Sequence, residues 1–364
     1  MRTKTVKNII RGFFLAANLL AALVLLASAY SDRISPEQVL FFSYLGLVFP
    51  FVCILNACFI AYWGFLREWK YLLIGLCAFL LCWKPVRSYF PFHLRTTAPK
   101  ENVIKILTYN VMGFAYTDHT KQLPNKILQY IADSDADIVC LQEYFVNRSS
   151  NSLTSRKIDE ALNMYPYSSV IHLKNFGWGL AVYSKYPITG SRRIEYPSED
   201  NGSSLHKIEI NGKTLTLVNN HFESFKLTTE DKIRYLDFIK GAGAESFGNL
   251  RNTIQQKLGP AFLIRAEQAR TVAEEIKNSR GDYLLVCGDF NDTPISYAHR
   301  MVQGELLDAF AESGMGLGIT YNRNYFWFRI DNILYSPNME AYCCTVDHVR
   351  YSDHYPLWCY LKLN

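Results

Sequence analysis

Tyr283-Leu284-Leu285-Val286-Cys287 runs directly into Gly288-Asp289-Phe290-Asn291-Asp292-Thr293-Pro294. A short apolar run with β-branched and aromatic side chains, bounded by glycine, has the pattern of a buried strand. Side chains alternate along a strand, so Asp289 and Asn291, two residues apart, leave the sheet edge on one face. Such a strand presents polar chemistry at the end of a sheet. Other stretches repeat the design. Val103-Ile104-Lys105-Ile106-Leu107-Thr108-Tyr109-Asn110 ends in an amide, residues 137–143 end in Glu143, and residues 214–219 run through Asn220 into His221. Asp331 opens Asp331-Asn332-Ile333-Leu334-Tyr335, and Asp353-His354 precede Tyr355-Pro356-Leu357.

The 364 residues, 49% hydrophobic and 20% charged, describe a folded chain with room for one large domain and something smaller. A scattered net charge of +5 is too mild to argue nucleic-acid binding by itself. The nine cysteines show neither metal nor disulfide spacing. Cys53, Cys58, Cys77 and Cys82 lie in apolar segments and Cys140 and Cys287 in strand-like runs, which reads as small buried hydrophobes.

Apolar residues concentrate in the first ninety positions. Arg2, Lys4, Lys7 and Arg11 precede an uncharged run, residues 12–30, long enough to cross a bilayer at about 1.5 Å per residue. Ala27-Ser28-Ala29 resembles a leader cleavage site, but residues 39–66 are again uncharged and long enough to span, which favours a membrane region. A third run, residues 71–83, is short, with Trp69 and Trp83 placed for the two interfaces. A basic N-terminus belongs on the cytoplasmic side, so three spans place the remaining chain outside the cytoplasm and two place it inside. Three is the expectation: an integral protein of the inner or plasma membrane with an extracytoplasmic domain. No ionisable residue interrupts these runs to mark a transport path, so their expected role is anchorage. The chain thus divides into an anchor of two to three helices over residues 1–90, a Pro/Thr-containing linker over 91–100, and a soluble domain over 101–364.

Within that domain residues 126–132 have helical spacing, residues 177–188 read as a strand and turn, and residues 265–278 as an amphipathic helix. Asn211-Gly212 between residues 205–210 and 214–219 is a strong hairpin signal. The strand ends together offer Asn110, Glu143, His221, Asp289, Asn291, Asp331, Asp353 and His354. Hard oxygen donors with few imidazoles suit Mg²⁺, which takes one or two carboxylates and keeps positions for water and phosphate. They suit zinc poorly, and a Walker loop and a G-x-S-x-G elbow are both absent. The chemistry expected is metal-assisted attack of water on phosphorus.

Thr108-Tyr109-Asn110, Leu141-Gln142-Glu143, Asn220-His221, Gly288-Asp289-Phe290-Asn291, Ile330-Asp331 and Ser352-Asp353-His354, in this order, resemble the motif series of the endonuclease/exonuclease/phosphatase superfamily, the DNase-I-like hydrolases. The resemblance covers about residues 101–364 and implies a four-layered α/β/β/α sandwich and a phosphoesterase dependent on Mg²⁺ or Mn²⁺. Carried over by position, it implies metal ligation by Glu143 with Asn110 and Asp353 assisting. It implies Asp289 as the group that orients or deprotonates water, and Asn291 as a contact to a phosphoryl oxygen. His354, oriented by Asp331, would face the scissile phosphate, and His221 would stabilise charge on phosphoryl oxygen. Some family nucleases pair the last histidine with a carboxylate, for which no counterpart stands out between Glu143 and Gly179.

The superfamily's substrates include nucleic acids, lipid head groups and inositol phosphates, and one site serves them all. A membrane tether favours a phosphodiester near the bilayer, with nucleic acid as the rival, and a phosphomonoesterase or a non-catalytic scaffold as further alternatives. Residues 225–262 form the distinctive insertion: Glu230, Asp231, Asp237 and Glu245 dilute its charge and favour a solvated, partly helical segment, while Lys226, Lys232, Arg234 and Lys240 among Phe225, Tyr235 and Phe238 would suit a phosphate-rich strand or a membrane surface.

Overall fold

The computed structural model describes residues 2–94, 97–146, 153–173, 178–198, 200–228, 230–231, 233, 241, 254–323 and 327–364. Most of the 225–262 insertion lies outside the described residues. The N-terminal region is helical: α1 (Arg2–Ala29), α2 (Phe41–Leu47), α3 (Phe49–Phe65), α4 (Trp69–Leu81) and α5 (Trp83–Tyr89). The apolar run over residues 39–66 is not one helix. It bends by 64° between α2 and α3, where Pro50 sits in the first turn of α3 and supplies no N–H to a preceding turn. The third run bends by 70° between α4 and α5. Within α1, Thr5–Ala29 is apolar from Gly12 onward and, at 25 residues, rises about 37 Å, enough to cross a membrane. The number of such spans is one, or up to three if each bent pair counts as one, among the described residues.

α1, α3 and α4 form a bundle that is inverted relative to a water-soluble one. Ile9, Phe13, Leu20, Leu23, Phe51, Ile54, Leu73 and Leu80 are exposed, whereas Asn18, Ser28 and Asn56 are buried. The Asn56 amide donates to Ala21 O at 3.0 Å and Val52 O at 2.9 Å, and the Asn18 amide to Tyr71 O at 3.2 Å. Through these N–H groups Asn56 ties α3 to α1 and Asn18 ties α1 to α4. At Gly75 a Cβ would lie 2.5 Å from the Ile60 side chain, so the α3–α4 approach needs glycine. Arg11 pairs with Glu68 at one end, and Tyr30 donates to Leu81 O at the other, so α1 and α4 run the same way and α3 runs back.

The remainder is a sandwich of two six-stranded sheets. The first has the order β11-β12-β1-β2-β4-β3 and the second β5-β6-β7-β8-β10-β9. The strands are β1 (Val103–Asn110), β2 (Ile138–Phe145), β3 (Tyr167–His172), β4 (Trp178–Ser184), β5 (Ile188–Ile194), β6 (Gly202–Ile210), β7 (Lys213–His221), β8 (Tyr283–Asp289), β9 (Leu307–Asp308), β10 (Asp331–Tyr335), β11 (Met339–Val346) and β12 (Leu357–Leu363). Each sheet has one parallel pair at its centre, β1 with β2 and β7 with β8. Asn211 and Gly212 take φ of 52° and 78° in the β6–β7 hairpin, the backbone that an Asn-Gly turn favours. Alternate residues build three cores: Ile104, Ile106, Leu217, Leu285 and Ile333 between the sheets, Leu107 and Leu141 against helices α6 (Lys126–Asp133) and α7 (Ser155–Ala161), and Val218 and Val286 against the helix Gly259–Asn278. The result is the four-layered α/β/β/α arrangement.

The bundle end that carries Tyr30 and Phe49 packs on the second helical layer. Glu37 receives a two-pronged bond from Arg270 at 2.7 and 3.1 Å, Asp32 pairs with Arg300, and the Tyr44 and Phe262 rings meet edge to face. Ile295 completes the apolar core formed by Phe49 and Tyr89. Arg329, buried, donates through Nη1 to the Asp308 carboxylate at 2.9 Å and through Nη2 to Ser88 O at 2.6 Å. The stretch read as a linker starts by pairing, with Phe92 bridged to Met315 and Gly316 N–H donating to Pro91 O at 2.9 Å.

Candidate active site

The inter-sheet core turns polar towards one end. On β1 the inward series runs Ile104, Ile106, Thr108, Asn110; on β7 it runs Leu215, Leu217, Asn219, His221; on β8, Leu285, Cys287, Asp289; and on β10, Tyr335, Ile333, Asp331. Every strand therefore leads from apolar packing to a functional group at the same end. A polar layer separates the two. The Gln142 amide donates to Asn219 Oδ1 at 2.7 Å and to Thr108 Oγ1 at 3.1 Å, and Asn219 donates to Leu141 O and Ala181 O across the sheets.

Glu143 reaches the site by a different device. Leu141 and Tyr144 both face the outer layer, so regular alternation would not bring Glu143 to the same face as Gln142. The β2–β4 register shifts between Leu141 and Tyr144, and Glu143 takes φ of 50°, unusual for a side chain of its size. This bulge turns the carboxylate inward. Asn110 Nδ2 then donates to Glu143 Oε1 at 3.1 Å and to Asp289 Oδ2 at 3.0 Å, while its oxygen accepts Met112 N–H. The amide thus bridges the two carboxylates. Gly288, with φ of 124°, has Asn220 O only 2.1 Å from where a Cβ would stand, so the parallel β7–β8 pairing beside Asp289 requires glycine.

His354 Nδ1 lies 2.8 Å from Asp331 Oδ2, and its Nε2 lies 3.6 Å from Asp289 Oδ2. His221 Nε2 stands 3.6 Å from Glu143 and 3.8 Å from Asp289, beyond hydrogen-bond length, and the nearest polar group is the Asn201 amide at 3.4 Å. Asn291 N–H donates to Asp289 Oδ1 at 2.8 Å, and its side-chain amide donates to Phe222 O at 2.9 Å. Asp289, Asp331, His221 and His354 are buried, and Glu143 and Asp353 are half-buried. Burial pushes the Asp289 carboxyl up to about 6, with His354 opposing and Asp331 reinforcing the rise. Burial and the neighbouring Asp353 raise Glu143. Burial lowers His221 and keeps it neutral. Burial also works against a charged His354, but Asp331 and Asp289 together outweigh it and hold the imidazolium well above its usual range.

All eight residues singled out in the sequence thus stand at one end of the inter-sheet space. Residues 107–354 match the Endonuclease/Exonuclease/phosphatase family. The chain belongs to that family. Its members are phosphoric-ester hydrolases, and the site just described has the donor set their chemistry needs. Residues 11–89 separately match a domain of unknown function, DUF8431. Among curated proteins, a Drosophila melanogaster protein assigned as a neutral sphingomyelinase is 26% identical over 224 residues, covering 57% of this chain and 43% of the relative. An inositol phosphosphingolipids phospholipase C from Schizosaccharomyces pombe is 24% identical over 206 residues, covering 55% and 43%. The chain therefore spans less than half the length of either. Among solved structures, a family member from Bacteroides vulgatus superposes with a TM-score of 0.50 at 20% identity, covering 72% of this chain and all of that one. The human Nocturnin catalytic domain gives 0.50 at 15%, covering 75% and 97%. Both show the fold.

The family depends on divalent metal, and the residues here fit a cation. Four carboxylates, Glu143, Asp289, Asp331 and Asp353, face two imidazoles, and buried Asp331 Oδ1 has no hydrogen-bond partner. Asp289, Asp331 and His354 can bring ligand atoms within 4.8 Å of one another. Their mutual bonds occupy much of that donor capacity, whereas Glu143 and Asp353 stand at the mouth, where a cation that keeps its waters is accommodated.

Sequence reading missed several supporting residues. Asn219 is one alternation step inside His221, a parity signal that was available, whereas regular alternation from Glu143 points Gln142 to the other face. Asn201 precedes a strand and has no such signal. Arg265, the first residue of the stretch read as an amphipathic helix, is fully buried; it donates to Asp292 Oδ2 at 3.1 Å and Glu223 O at 2.8 Å, tying together the loops that follow β7 and β8.

Proposed function

We propose that the protein is a membrane-anchored phosphodiesterase dependent on Mg²⁺ or Mn²⁺, acting on the head group of a sphingolipid or phospholipid. The observation that carries the hydrolytic reading is the convergence of Glu143, Asn110, Asp289, His221 and the Asp331–His354 pair at one open end of the sandwich. The names of the two curated relatives and the inverted bundle support the lipid.

Glu143 with Asp353 would hold the cation, which when bound supplies charge neutralisation at the phosphoryl oxygens. Asp289, fixed by Asn110 and the Asn291 N–H, takes the proton of the attacking water as its oxygen bonds to phosphorus. A carboxyl near 6 is ionised at neutral pH yet more basic than a free one. Neutral His221 donates to a phosphoryl oxygen, and Asn291 has a second amide hydrogen for another. The His354 imidazolium faces the phosphate and gives its proton to the leaving oxygen as the ester P–O bond breaks.

The test is hydrolysis by the purified full chain, with Mg²⁺, Mn²⁺ or EDTA, of sphingomyelin or phospholipid vesicles beside single- and double-stranded DNA. Metal-dependent release of the phosphorylated head group with DNA intact is expected; DNA cleavage with lipid untouched sinks the lipid assignment.

The bundle end near Arg11 gathers Arg2, Lys4, Lys7, Arg67 and Lys70, and the sandwich sits on the opposite end, which supports an extracytoplasmic catalytic domain. A Lys100→Cys chain in intact cells is expected to react with a membrane-impermeant maleimide. Labelling only after the membrane is permeabilised would reverse the orientation.

A further inference from the structure

Where the bundle meets the sandwich, four large apolar side chains cluster on the outside. Phe92 is 77% exposed, Leu94 76%, Met315 61% and Leu317 42%. The two segments are physically joined by the Phe92–Met315 bridge and the Gly316 N–H to Pro91 O bond. Met315 and Leu317 alternate with glycines, and Gly316 and Gly318 take φ of 85° and 59°, so the backbone turns tightly while the apolar side chains project. A patch of this kind on a folded surface marks a contact site.

Two connections locate it. Phe92 follows α5 by only three residues, and Arg329 binds Ser88 O, so the patch is fixed to the bundle end. On its other side Leu317 leads to Thr320, whose hydroxyl accepts the N–H groups of Ile330 and Asp331, and to Tyr321, whose ring centre lies 5.2 Å from that of His354. Three residues lie between Leu317 and Tyr321, so at most about 14 Å of chain parts them. Along the chain, the patch therefore lies between the anchor and the reacting groups.

We propose that Phe92, Leu94, Met315 and Leu317 form a lip seated in the interface of the same bilayer that holds the bundle, and that the site takes its phosphodiester from that leaflet. The proposal rests on the lipid reading above and adds to it the source of the substrate. The occupant follows from continuity: exposed Leu80, Leu81 and Trp83 carry the apolar surface of the bundle to the start of α5, and α5 leads into the lip.

The full chain is reconstituted in vesicles of phosphatidylcholine, phosphatidylglycerol and the hydrolysed lipid, with the same lipid supplied alternatively in separate protein-free vesicles. Bis(p-nitrophenyl) phosphate serves as a soluble diester. Hydrolysis confined to the protein's own vesicles is expected, and Phe92→Ser with Met315→Ser should lower it about tenfold while leaving the soluble diester rate unchanged. Equal hydrolysis in separate vesicles, no loss in the double variant, or equal loss on the soluble diester overturns the lip. Inactivity of the unaltered chain on both substrates is a failure of the phosphodiesterase reading instead. A readout independent of activity then decides the lip: Met315→Cys, with Cys58 and Cys77 replaced by serine, carries a fluorophore that should be quenched by nitroxide lipids more than by iodide. Preferential quenching by iodide, or cross-linking of that cysteine to a second copy, overturns the proposal.

Discussion

His354→Ala is expected to lower metal-dependent hydrolysis by about 10³-fold, within the range for losing a positioned acid together with its charge. Steady-state rates of the full chain on a soluble diester give the measurement, and a loss below tenfold would remove His354 from the mechanism. The geometry also predicts the pH profile. The rate should climb as pH rises through about 6, where Asp289 ionises, and fall only well above 6.5, when His354 gives up the proton that Asp331 and Asp289 hold on it. Asp331→Asn removes one of those two carboxylates, so the alkaline limb should move to lower pH. An unchanged alkaline limb in that variant would show that the 2.8 Å Asp331–His354 contact does not set the protonation of the imidazole. Linkage gives a consistent sign for stability without metal. Both groups bind protons more tightly when folded: the His354 contribution is present below its unfolded pKa and lost as pH rises through the folded one, and ionising buried Asp289 destabilises the fold as pH passes about 6. The share of the metal-free protein's stability carried by Asp289 and His354 should therefore fall as pH climbs, against a rise contributed by His206 and His299, whose imidazoles burial holds down at about 4.

Arg329→Met is expected to destabilise the protein by about 3–5 kcal/mol, the loss that follows when one partner of a buried ion pair is removed. The substitution leaves Asp308 charged, 2% exposed, and without the guanidinium at 2.9 Å, and it also frees Ser88 O on α5. Thermal unfolding in detergent measures the loss, and adding Asp308→Asn should recover part of it, because no uncompensated charge then remains. For the same reason the domain over residues 101–364 should unfold at a lower temperature alone than within the full chain. Deleting the bundle uncovers Ile295 and Phe262 and removes the Ser88 carbonyl from Arg329. Equal unfolding temperatures would show that the bundle lends the sandwich no support.

These contacts bear on what the sequence disclosed. The strand ends were legible because a period of two places Asp289, Asn110 and His221 in line with apolar residues that must face a core, and a polar tip on such a run is costly to bury unless it meets other polar groups. The Asn211-Gly212 turn was legible because its backbone needs residues tolerant of positive φ. Glu143 was legible as the polar end of an apolar run, but the bulge that aims it was invisible, since no feature of a glutamate encodes a φ of 50°. The break before α3 was missed because hydropathy is blind to direction, and Pro50 is as compatible with a helix start as with a kink. The bundle's seat on the sandwich was equally hidden. Glu37, Arg270 and Arg300 read as ordinary surface charges until the fold brings residues more than two hundred positions apart into contact. Strands β11 and β12 carry no functional tip, and their alternation drew no notice.

The layer of Gln142, Asn219 and Thr108 has a further consequence. The first sheet brings Asn110 and Glu143, the second brings His221, Asp289 and Asp331, and Gln142 joins the two sheets directly beneath them. Neither sheet holds a working set alone, so the catalytic distances are a property of how one sheet lies over the other. A small shear between them would leave every ladder bond intact and still part Asn110 from Asp289. Catalysis is thus a finer gauge of inter-sheet alignment than the hydrogen bonding of either sheet, and the buried amides are the pins that hold that alignment.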